Sequence, residues 1–131
     1  MSVVLVTGSC GLVGSESVEF FISKGFDVIG IDNNSRLKFF GKDGNINWIK
    51  NNLIKSYKNY KHNNIDIRNY SSLEKIFKKY KNSIKLIIHS AAQPSHDWAK
   101  KNPFVDFNIN ALGTLNLLNL TKRYSYNAPF I

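Results

Sequence analysis

The first part of the chain joins an apolar block to a helical pattern. Residues Ser2 to Thr7 form an apolar, largely β-branched run, which is typical of a strand buried on both faces of a parallel sheet. From Leu12 to Lys24 the apolar residues recur at helical spacing, and Gly25 follows where a helix C-terminus favours glycine. The segment therefore predicts a strand, a tight turn and a helix.

The same alternation continues to the end of the chain. Further strands are predicted over residues 27–31, 63–67 and 84–89. Further helices are predicted over residues 46–59, from Ser71-Ser72 to about Tyr80, and from Pro103 to about Tyr124. The last two residues, Phe130 and Ile131, have the pattern of a fifth strand that begins there.

Strands that alternate with helices of this length indicate right-handed crossovers and a parallel sheet covered on both faces. The sequence therefore predicts the α/β class, as a Rossmann-type, doubly wound sheet truncated after the fourth helix. In the strand order 3-2-1-4-5-6, which is common for this fold, the fourth strand would then form an open edge. We expect this edge, and the apolar faces beside it, to make the chain prone to self-association.

Composition adds the number of domains and the compartment. A chain of 131 residues with 43% hydrophobic residues can enclose one core, so a single domain over 1–131 is predicted. No apolar run is long enough to span a bilayer, and no basic start precedes an apolar signal segment. Cys10 is the only cysteine, which argues against a disulfide or a cysteine-built zinc site. These features favour the cytoplasm, with no membrane partner and no metal.

The formal net charge of +9 raises the possibility of nucleic-acid binding. Ten lysines and arginines lie between residues 50 and 85, against only Asp66 and Glu74. They are spread through segments with the pattern of solvated helix faces, which favours a basic surface in a Lys/Asn-rich chain. Tyrosines 57, 60 and 70 are interleaved there, but no known nucleic-acid-binding motif accompanies them. We therefore expect no nucleic-acid partner.

The glycine-rich turn is the first feature that points to chemistry. Gly8, Gly11 and Gly14 recur at intervals of three between the first strand and the first helix. A dinucleotide pyrophosphate needs glycine there for the tight turn, for close backbone approach and for packing the helix against the strand. The helix N-terminus then offers free N–H groups and a partial positive charge to the phosphates. An ordinary glycine turn is the alternative that this position disfavours.

Asp32 lies at the carboxyl end of the second predicted strand, 18 residues after Gly14. A carboxylate at this place can accept both hydroxyls of the adenosine ribose and would repel a 2′-phosphate, which favours NAD over NADP. Arg36 is the opposing observation, because a nearby arginine can accommodate that phosphate. A plain turn aspartate is the structural alternative for Asp32.

The motif Thr-Gly-x-x-Gly-x-x-Gly over residues 7–14 resembles the turn of the extended short-chain dehydrogenase/reductase family, which includes the nucleotide-sugar epimerases and dehydratases. Three further segments resemble segments of the family. Residues 64–69 (NIDIRN) correspond to the segment beside the adenine, and residues 89–93 (HSAAQ) to the segment beside the nicotinamide. Residues 110–118 (NALGTLNLL) correspond to the helix that begins with the asparagine on the cofactor side. The resemblance implies NAD contacts from Gly8, Cys10, Gly11, Leu12, Gly14, Asp32, Asn33, Ser35, Arg36, Asp66, Ile67, Ser90, Ala91, Ala92, Gln93 and Asn110.

The resemblance also implies an activity for the complete enzyme. Residues 91–99 (AAQPSHDWA), 30–34 and 39–41 are most similar to the CDP-paratose 2-epimerase branch. Hydride removal and return at C2 of a CDP-hexose is the implied reaction, C4 of a UDP-hexose is the alternative, and homo-oligomers are expected. A non-catalytic dinucleotide-binding or interaction module is the rival function.

Two segments imitate catalytic motifs. Family members use a Tyr-x-x-x-Lys pair after the fifth strand, which this chain does not reach, so no catalytic residue is assigned. Tyr57 and Lys61 have that spacing but lie before the third predicted strand. Ser95-His96-Asp97 contains triad residue types in consecutive positions, which cannot converge as a triad does. His96 and Trp98 are expected either to border the sugar or to pack the loop after the fourth strand.

Overall fold

A computed structural model describes residues 2–131 and contains a parallel sheet of four strands in the order β3-β2-β1-β4. The strands are β1 (Val3–Thr7), β2 (Asp27–Ile31), β3 (Tyr60–Asn63) and β4 (Ile84–His89). This order confirms the predicted Rossmann-type sheet, in which β1 is central, β2 and β3 lie on one side of it, and β4 lies on the other.

Helices connect the strands and cover both faces of the sheet. The α-helices are α1 (Leu12–Ser23), α2 (Arg36–Phe40), α3 (Asn47–Ser56), α4 (Tyr70–Tyr80), α5 (His96–Lys101), α6 (Pro103–Phe107) and α7 (Gly113–Tyr124). Short 3-10 helices occupy Gly41–Gly44 and Lys81–Ser83, and a π-helical turn over Asn108–Leu112 joins α6 to α7. In residues 2–131, no helix has the length and apolar character that a membrane crossing requires.

The central strand explains why the core has two layers. All five residues of β1 are buried, and its successive side chains point to opposite faces of the sheet. Val3 and Leu5 join the cluster formed with α4 and α7, whereas Val4 and Val6 join the cluster formed with α1 and α3. The continuous apolar run at the start of the chain is thus required by a strand covered on both sides.

The outer edge of β4 differs from the sequence expectation. Phe130 forms a parallel bridge with Ile87, and the N–H of His89 donates to the carbonyl of Ile131 over 2.7 Å. The prediction of a fifth strand beginning here is confirmed, and the prediction of a fully open edge is wrong. The last residues pair with the outer edge of β4, and this pairing gives hydrogen-bond partners to backbone groups that would otherwise lack them.

The third strand begins three residues earlier than the sequence predicts. It runs over Tyr60–Asn63, and the apolar alternation of Ile65 and Ile67 that suggests a strand lies beyond its end. Tyr60 is buried against the sheet, while Ile65 and Ile67 pack on the core from the following loop. A strand at the edge of a sheet can be polar, so the residues of β3 lack the apolar pattern that would predict a strand.

The sequence does not predict the short helices. Helices α2 and α5 lie in segments expected to be loops, and each has too few residues for a periodic pattern. Helix α4 begins one residue before the predicted serines, because the side chain of Asn69 accepts a hydrogen bond from the N–H of Ser72 over 3.0 Å. The predicted helix from Pro103 to Tyr124 is present and is interrupted only by the π-helical turn.

Candidate functional site

A cleft of about 250 Å³ opens at the carboxyl ends of the strands. This is where parallel α/β sheets bind ligands, because the strand order reverses there. The carboxyl ends of β1, β2 and β4 lie at this edge, so the loops that follow them converge on the cleft although they are distant in sequence. The predicted residues that line it are Gly8, Gly11, Leu12, Gly14, Asp32, Asn33, Ser35, Arg36, Asp66, Ile67, Ser90, Ala91 and Ala92.

The turn after β1 is tight because two glycines leave no room for a side chain. Gly8 adopts a φ of +65°, and a Cβ added to it would lie 2.8 Å from the backbone nitrogen of Ala91. A Cβ on Gly14 would collide with the carbonyl oxygen of Gly8. The N–H of Gly8 donates to the carbonyl of Ile31 over 2.8 Å, which joins the turn to β2. Helix α1 is therefore packed directly against the turn.

The beginning of α1 carries backbone donors that face the cleft. Within residues 2–131, the N–H groups of Leu12, Val13 and Gly14 donate to no protein acceptor, and all three residues line the cleft. The N-cap residue Gly11 supplies no side chain, and the first turn of the helix holds no acidic residue. These N–H groups and the helix dipole make this end of the cleft electropositive, so it suits an anion.

Asp32 faces the turn from the end of β2. Its Oδ2 accepts a hydrogen bond from the N–H of Cys10 over 3.0 Å, and its Oδ1 accepts one from the N–H of Asn34 over 2.8 Å. Each carboxylate oxygen can accept more than one hydrogen bond. The carboxylate is held at the cleft wall with acceptor capacity remaining for hydroxyl groups of a ligand.

Asp66 forms a second fixed carboxylate on the same side of the cleft. Arg68 binds it through Nε at 2.9 Å and Nη2 at 2.6 Å, and Asn33 donates to it from Nδ2 over 3.1 Å. The hydrogen bond from the Arg68 side chain lowers the pKa of Asp66 below its usual value of 3.8. The contact to Asn33 ties the loop after β3 to the loop after β2.

The opposite side of the cleft is built on His89. Its Nδ1 lies 2.7 Å from Thr7 Oγ1, and its Nε2 lies 2.8 Å from Thr114 Oγ1. Because the Thr114 hydroxyl donates to the carbonyl of Asn110 over 2.7 Å, it must accept from Nε2–H. Nδ1 then accepts from Thr7, and burial lowers the pKa of His89 below 6.5. The hydrogen bonds thus assign the Nε2–H tautomer, and the lowered pKa favours the neutral imidazole.

Three predicted site residues do not line the cleft. Gln93 is buried: its Nε2 donates to Asp106 over 2.9 Å, and its backbone exchanges two hydrogen bonds with the side chain of Asn110. Cys10 is also buried, with its sulfur 3.8 Å from His62 Nδ1. Burial and the nearby Asp32 carboxylate raise the pKa of the Cys10 thiol. Cys10, Gln93 and Asn110 therefore support the walls of the cleft.

Sequence reasoning missed the apolar lining. The cleft is also lined by Val13, Ile31, Phe39, Ile46, Ile65, Pro94 and Ile109. The motif spacing that identified the glycines says nothing about apolar residues, since loop and core residues look alike in a sequence. Val13 could have been predicted to line the cleft, because it directly precedes Gly14 in the first turn of the predicted helix.

In the segment Ser95-His96-Asp97, which contains the residue types of a catalytic triad, Ser95 has a structural role. Its hydroxyl oxygen accepts a hydrogen bond from the N–H of Trp98 over 3.2 Å, as the N-cap of α5. In the other imitation, Tyr57 ends α3 and packs on the core, whereas Lys61 lies on β3, so the two do not share a helix.

Comparison with known proteins gives consistent matches over nearly the whole chain. A family model described as GDP-mannose 4,6 dehydratase matches residues 5–130. The chain is 35% identical over 128 residues to CDP-paratose 2-epimerase of Salmonella typhi, covering 98% of this chain and 35% of that protein. It is 36% identical over 124 residues to UDP-glucuronate 4-epimerase of Thermodesulfobacterium geofontis, covering 95% of this chain and 36% of that protein.

Solved structures agree with these matches. The fold is similar to that of Thermus thermophilus UDP-glucose 4-epimerase in complex with NAD, with a TM-score of 0.70 and 28% identity. That match covers 94% of this chain and 34% of the other. The chain spans about a third of the length of the relatives named here.

Proposed function

Because the chain belongs to the family described as GDP-mannose 4,6 dehydratase, we propose that it binds NAD as the cofactor domain of a nucleotide-sugar epimerase. The family is one of the extended short-chain dehydrogenase/reductases, which include the nucleotide-sugar epimerases and dehydratases. One observation carries the proposal: the three unpartnered N–H groups at the start of α1 and the Asp32 carboxylate, all within the described residues 2–131, line the same cleft. That arrangement fits a pyrophosphate joined to a ribose.

The glycine turn binds the pyrophosphate in this proposal. The N–H groups of Leu12, Val13 and Gly14 donate to the phosphate oxygens, and the dipole of α1 stabilises their charge. Gly8 and Gly11 let the backbone approach closely, because any side chain there would project into the turn or against its neighbours. The fit is supported by the absence of an acidic side chain in the first turn of the helix.

The adenosine half lies against the loops after β2 and β3. Asp32 accepts from the ribose hydroxyls, with Asn33, Ser35 and Arg36 around it on the cleft wall. Ile67 packs against the adenine, and the Asp66 carboxylate, held by Arg68, is an acceptor for the exocyclic amine.

The remaining half of the cofactor lies along Ser90, Ala91 and Ala92, with Asn110 behind the loop. When bound, NAD supplies a group that can accept a hydride from a sugar carbon and return it. This chain orients that group: the His89 network fixes the loop after β4, and small side chains there leave space beside the nicotinamide ring.

Calorimetric titration with NAD tests the proposal. We expect saturable binding to the parent and a loss of roughly tenfold or more in affinity for Asp32→Ala, because hydrogen bonds to a charged group contribute about 1.5–3 kcal/mol. The matched control is Asp27→Ala, at the opposite end of the same strand, which should bind like the parent. Failure of the parent to bind NAD would refute the proposal.

For the substrate of the complete enzyme we propose C2 of a CDP-hexose. The proposal is supported by residues 91–99 and by the likeness to the Salmonella typhi 2-epimerase. The similar identity to a UDP-glucuronate 4-epimerase favours C4 of a UDP-hexose as the second candidate. Offering both sugar nucleotides to the complete enzyme and assigning the inverted carbon by proton NMR distinguishes the two, and a change in neither would favour a non-catalytic binding module.

A homo-oligomer is proposed for the assembly of that enzyme. Exposed apolar side chains on α6 and α7 support it, and they include Phe104, Phe107, Leu115 and Leu118. Exposed apolar patches mark association surfaces. Light scattering should detect a dimer or larger species whose fraction falls in Leu115→Lys, and a monodisperse monomer would refute the proposal.

A further inference from the structure

An aromatic contact crosses the mouth of the cleft. The ring of Phe39 on α2 meets the ring of Trp98 on α5 edge to face, with 5.2 Å between the centroids and 67° between the planes. Lys38 Nζ lies 5.2 Å from the centroid of the Trp98 ring, which adds a cation–π contact. In the described part of the chain, no hydrogen bond or ion pair joins α2 to α5.

The position of these helices makes the contact a bridge. Helix α2 follows β2 and α5 follows β4, and these strands lie on opposite sides of β1 in the sheet. A contact between the two helices therefore passes above the carboxyl end of β1, where the glycine turn begins. Phe39 lines the cleft, whereas Trp98 does not, so Trp98 braces Phe39 from the outer side.

Hydrogen bonds fix the backbone at the start of α5, where Trp98 lies. The side chain of Ser95 caps α5 at the N–H of Trp98, and the buried Gln93 donates to the carbonyl of Ser95 over 3.0 Å. Neither α2 nor α5 has a buried residue, and Phe39 is the side chain of α2 that packs on the core cluster. The contact thus joins a ring that packs on the core to a ring on a capped helix.

We propose that Trp98 is a positioning residue that holds Phe39 over the cleft, so that the contact must open whenever the dinucleotide enters or leaves. The inference rests on the proposed dinucleotide binding. Phe39 contacts the cofactor directly, and Trp98 acts through Phe39. A contact that must open for both entry and exit slows association and dissociation together and changes the equilibrium affinity less than either rate.

Stopped-flow measurement of NADH binding to the whole chain tests this, with dissociation followed after a chase of excess NAD. An aromatic pair contributes about 0.5–1.5 kcal/mol, so Trp98→Ala should raise both rates roughly threefold to tenfold and change the dissociation constant by about twofold or less. Trp98→Phe should keep the parent rates, because a ring can still meet Phe39. The matched control is Trp48→Ala, which removes the other tryptophan from an exposed site on α3.

Coupling between the two residues separates this role from a general loss of packing. In a Phe39→Ala background, Trp98→Ala should have no further effect on either rate, since the residue it supports is gone. Without ligand, Trp98 in a Trp48→Phe background should become more accessible to acrylamide when Phe39 is replaced by alanine. Circular dichroism shows that each variant is folded.

The outcomes are distinct. Unchanged rates in Trp98→Ala, or equal effects of Trp98→Ala with and without Phe39, overturn the inference and leave the proposed function standing. A parent chain that does not bind NADH overturns both. A rise in both rates that disappears in the Phe39→Ala background supports the inference.

Discussion

Asp32 Oδ2 accepts a hydrogen bond from the backbone N–H of Cys10, and the two atoms are 3.0 Å apart. The contact joins the end of β2 to the glycine turn after β1, across 22 residues of sequence. It places a fixed negative charge within the same cleft as the free N–H groups of α1. One end of the cleft therefore suits an anion, and the wall beside it suits hydroxyl groups.

The first prediction concerns the choice between NAD and NADP. Asp32→Asn removes the charge that would repel a 2′-phosphate and keeps an oxygen that can accept from Cys10. We expect the affinity for NADP relative to NAD to rise roughly fivefold to tenfold, which is the effect of about 1 kcal/mol. Competition calorimetry with both dinucleotides measures the ratio.

Arg36 provides the control for that ratio. Its guanidinium carbon lies 4.9 Å from the centroid of the Phe40 ring, and the residue lines the cleft. Adding Arg36→Ala to Asp32→Asn should remove most of the gain in NADP affinity. A ratio that stays at the parent value in Asp32→Asn would contradict the role assigned to the carboxylate.

The second prediction concerns the packing of α1 against the turn. In Gly14→Ala the new methyl group meets the carbonyl of Gly8, so either the helix or the turn must shift. Overpacking of this kind costs about 1–3 kcal/mol of the free energy of unfolding, and the displaced N–H groups should weaken NAD binding as well. Urea unfolding and NAD titration measure the two effects.

Glu16→Ala is the matched control on the same helix, because the Glu16 side chain is exposed. It should change the free energy of unfolding by less than about 0.5 kcal/mol. Equal stability of Gly14→Ala and Glu16→Ala would show that the turn tolerates a side chain at residue 14.

Much of the sheet and of the glycine turn could be predicted from the sequence, for physical reasons. A strand buried on both faces must be apolar throughout, as β1 is, and a turn with no room for a Cβ must have glycine at residues 8 and 14. The strand order follows from short right-handed crossovers. Each of these constraints fixes the type of residue at successive positions of one short segment, so it leaves a pattern in the sequence.

Other parts depended on contacts between distant residues. The start of β3 is decided by the burial of Tyr60, which packs with Val4, Val6 and Val28. The bridge from Phe39 to Trp98 depends on two short helices that have no period of their own. No local pattern records such contacts, because they arise only when the sheet brings the loops together.

The third prediction concerns the pH dependence of stability. Burial lowers the pKa of His89 below its ordinary value of 6.5, so the unfolded chain binds protons more readily than the folded one. The free energy of unfolding should therefore fall as the pH is lowered from about 7 through 6.5. His62 contributes with the same sign, because burial lowers its pKa too.

Urea unfolding of the parent and of His89→Gln at about pH 7, 6 and 5 tests this. The variant should be less stable at the highest of these pH values and should lose less stability as the pH is lowered. His62→Gln distinguishes the share of the second imidazole. Asp66 does not interfere, because its pKa lies below 3.8. Parallel pH profiles for the parent and His89→Gln would contradict the lowered pKa of His89.

The fourth prediction concerns Asp66. Its pairing with Arg68 is partly exposed, so Asp66→Asn should lower the free energy of unfolding by less than about 1 kcal/mol. The proposed contact with the adenine amine would weaken, and NAD affinity should fall by roughly threefold to tenfold. Measuring affinity for NAD and for nicotinamide mononucleotide separates the effects: the mononucleotide lacks adenine and should be unaffected.

The central claim is that the backbone N–H groups at the start of α1 bind a pyrophosphate. An NMR titration of ¹⁵N-labelled chain with NAD tests it most directly, because each amide reports its own environment. We predict saturable shifts that are largest at Gly11, Leu12, Val13 and Gly14, and smaller shifts at the same amides with adenosine, which has no phosphate. Saturation with NAD that leaves these four amides unmoved would contradict the account.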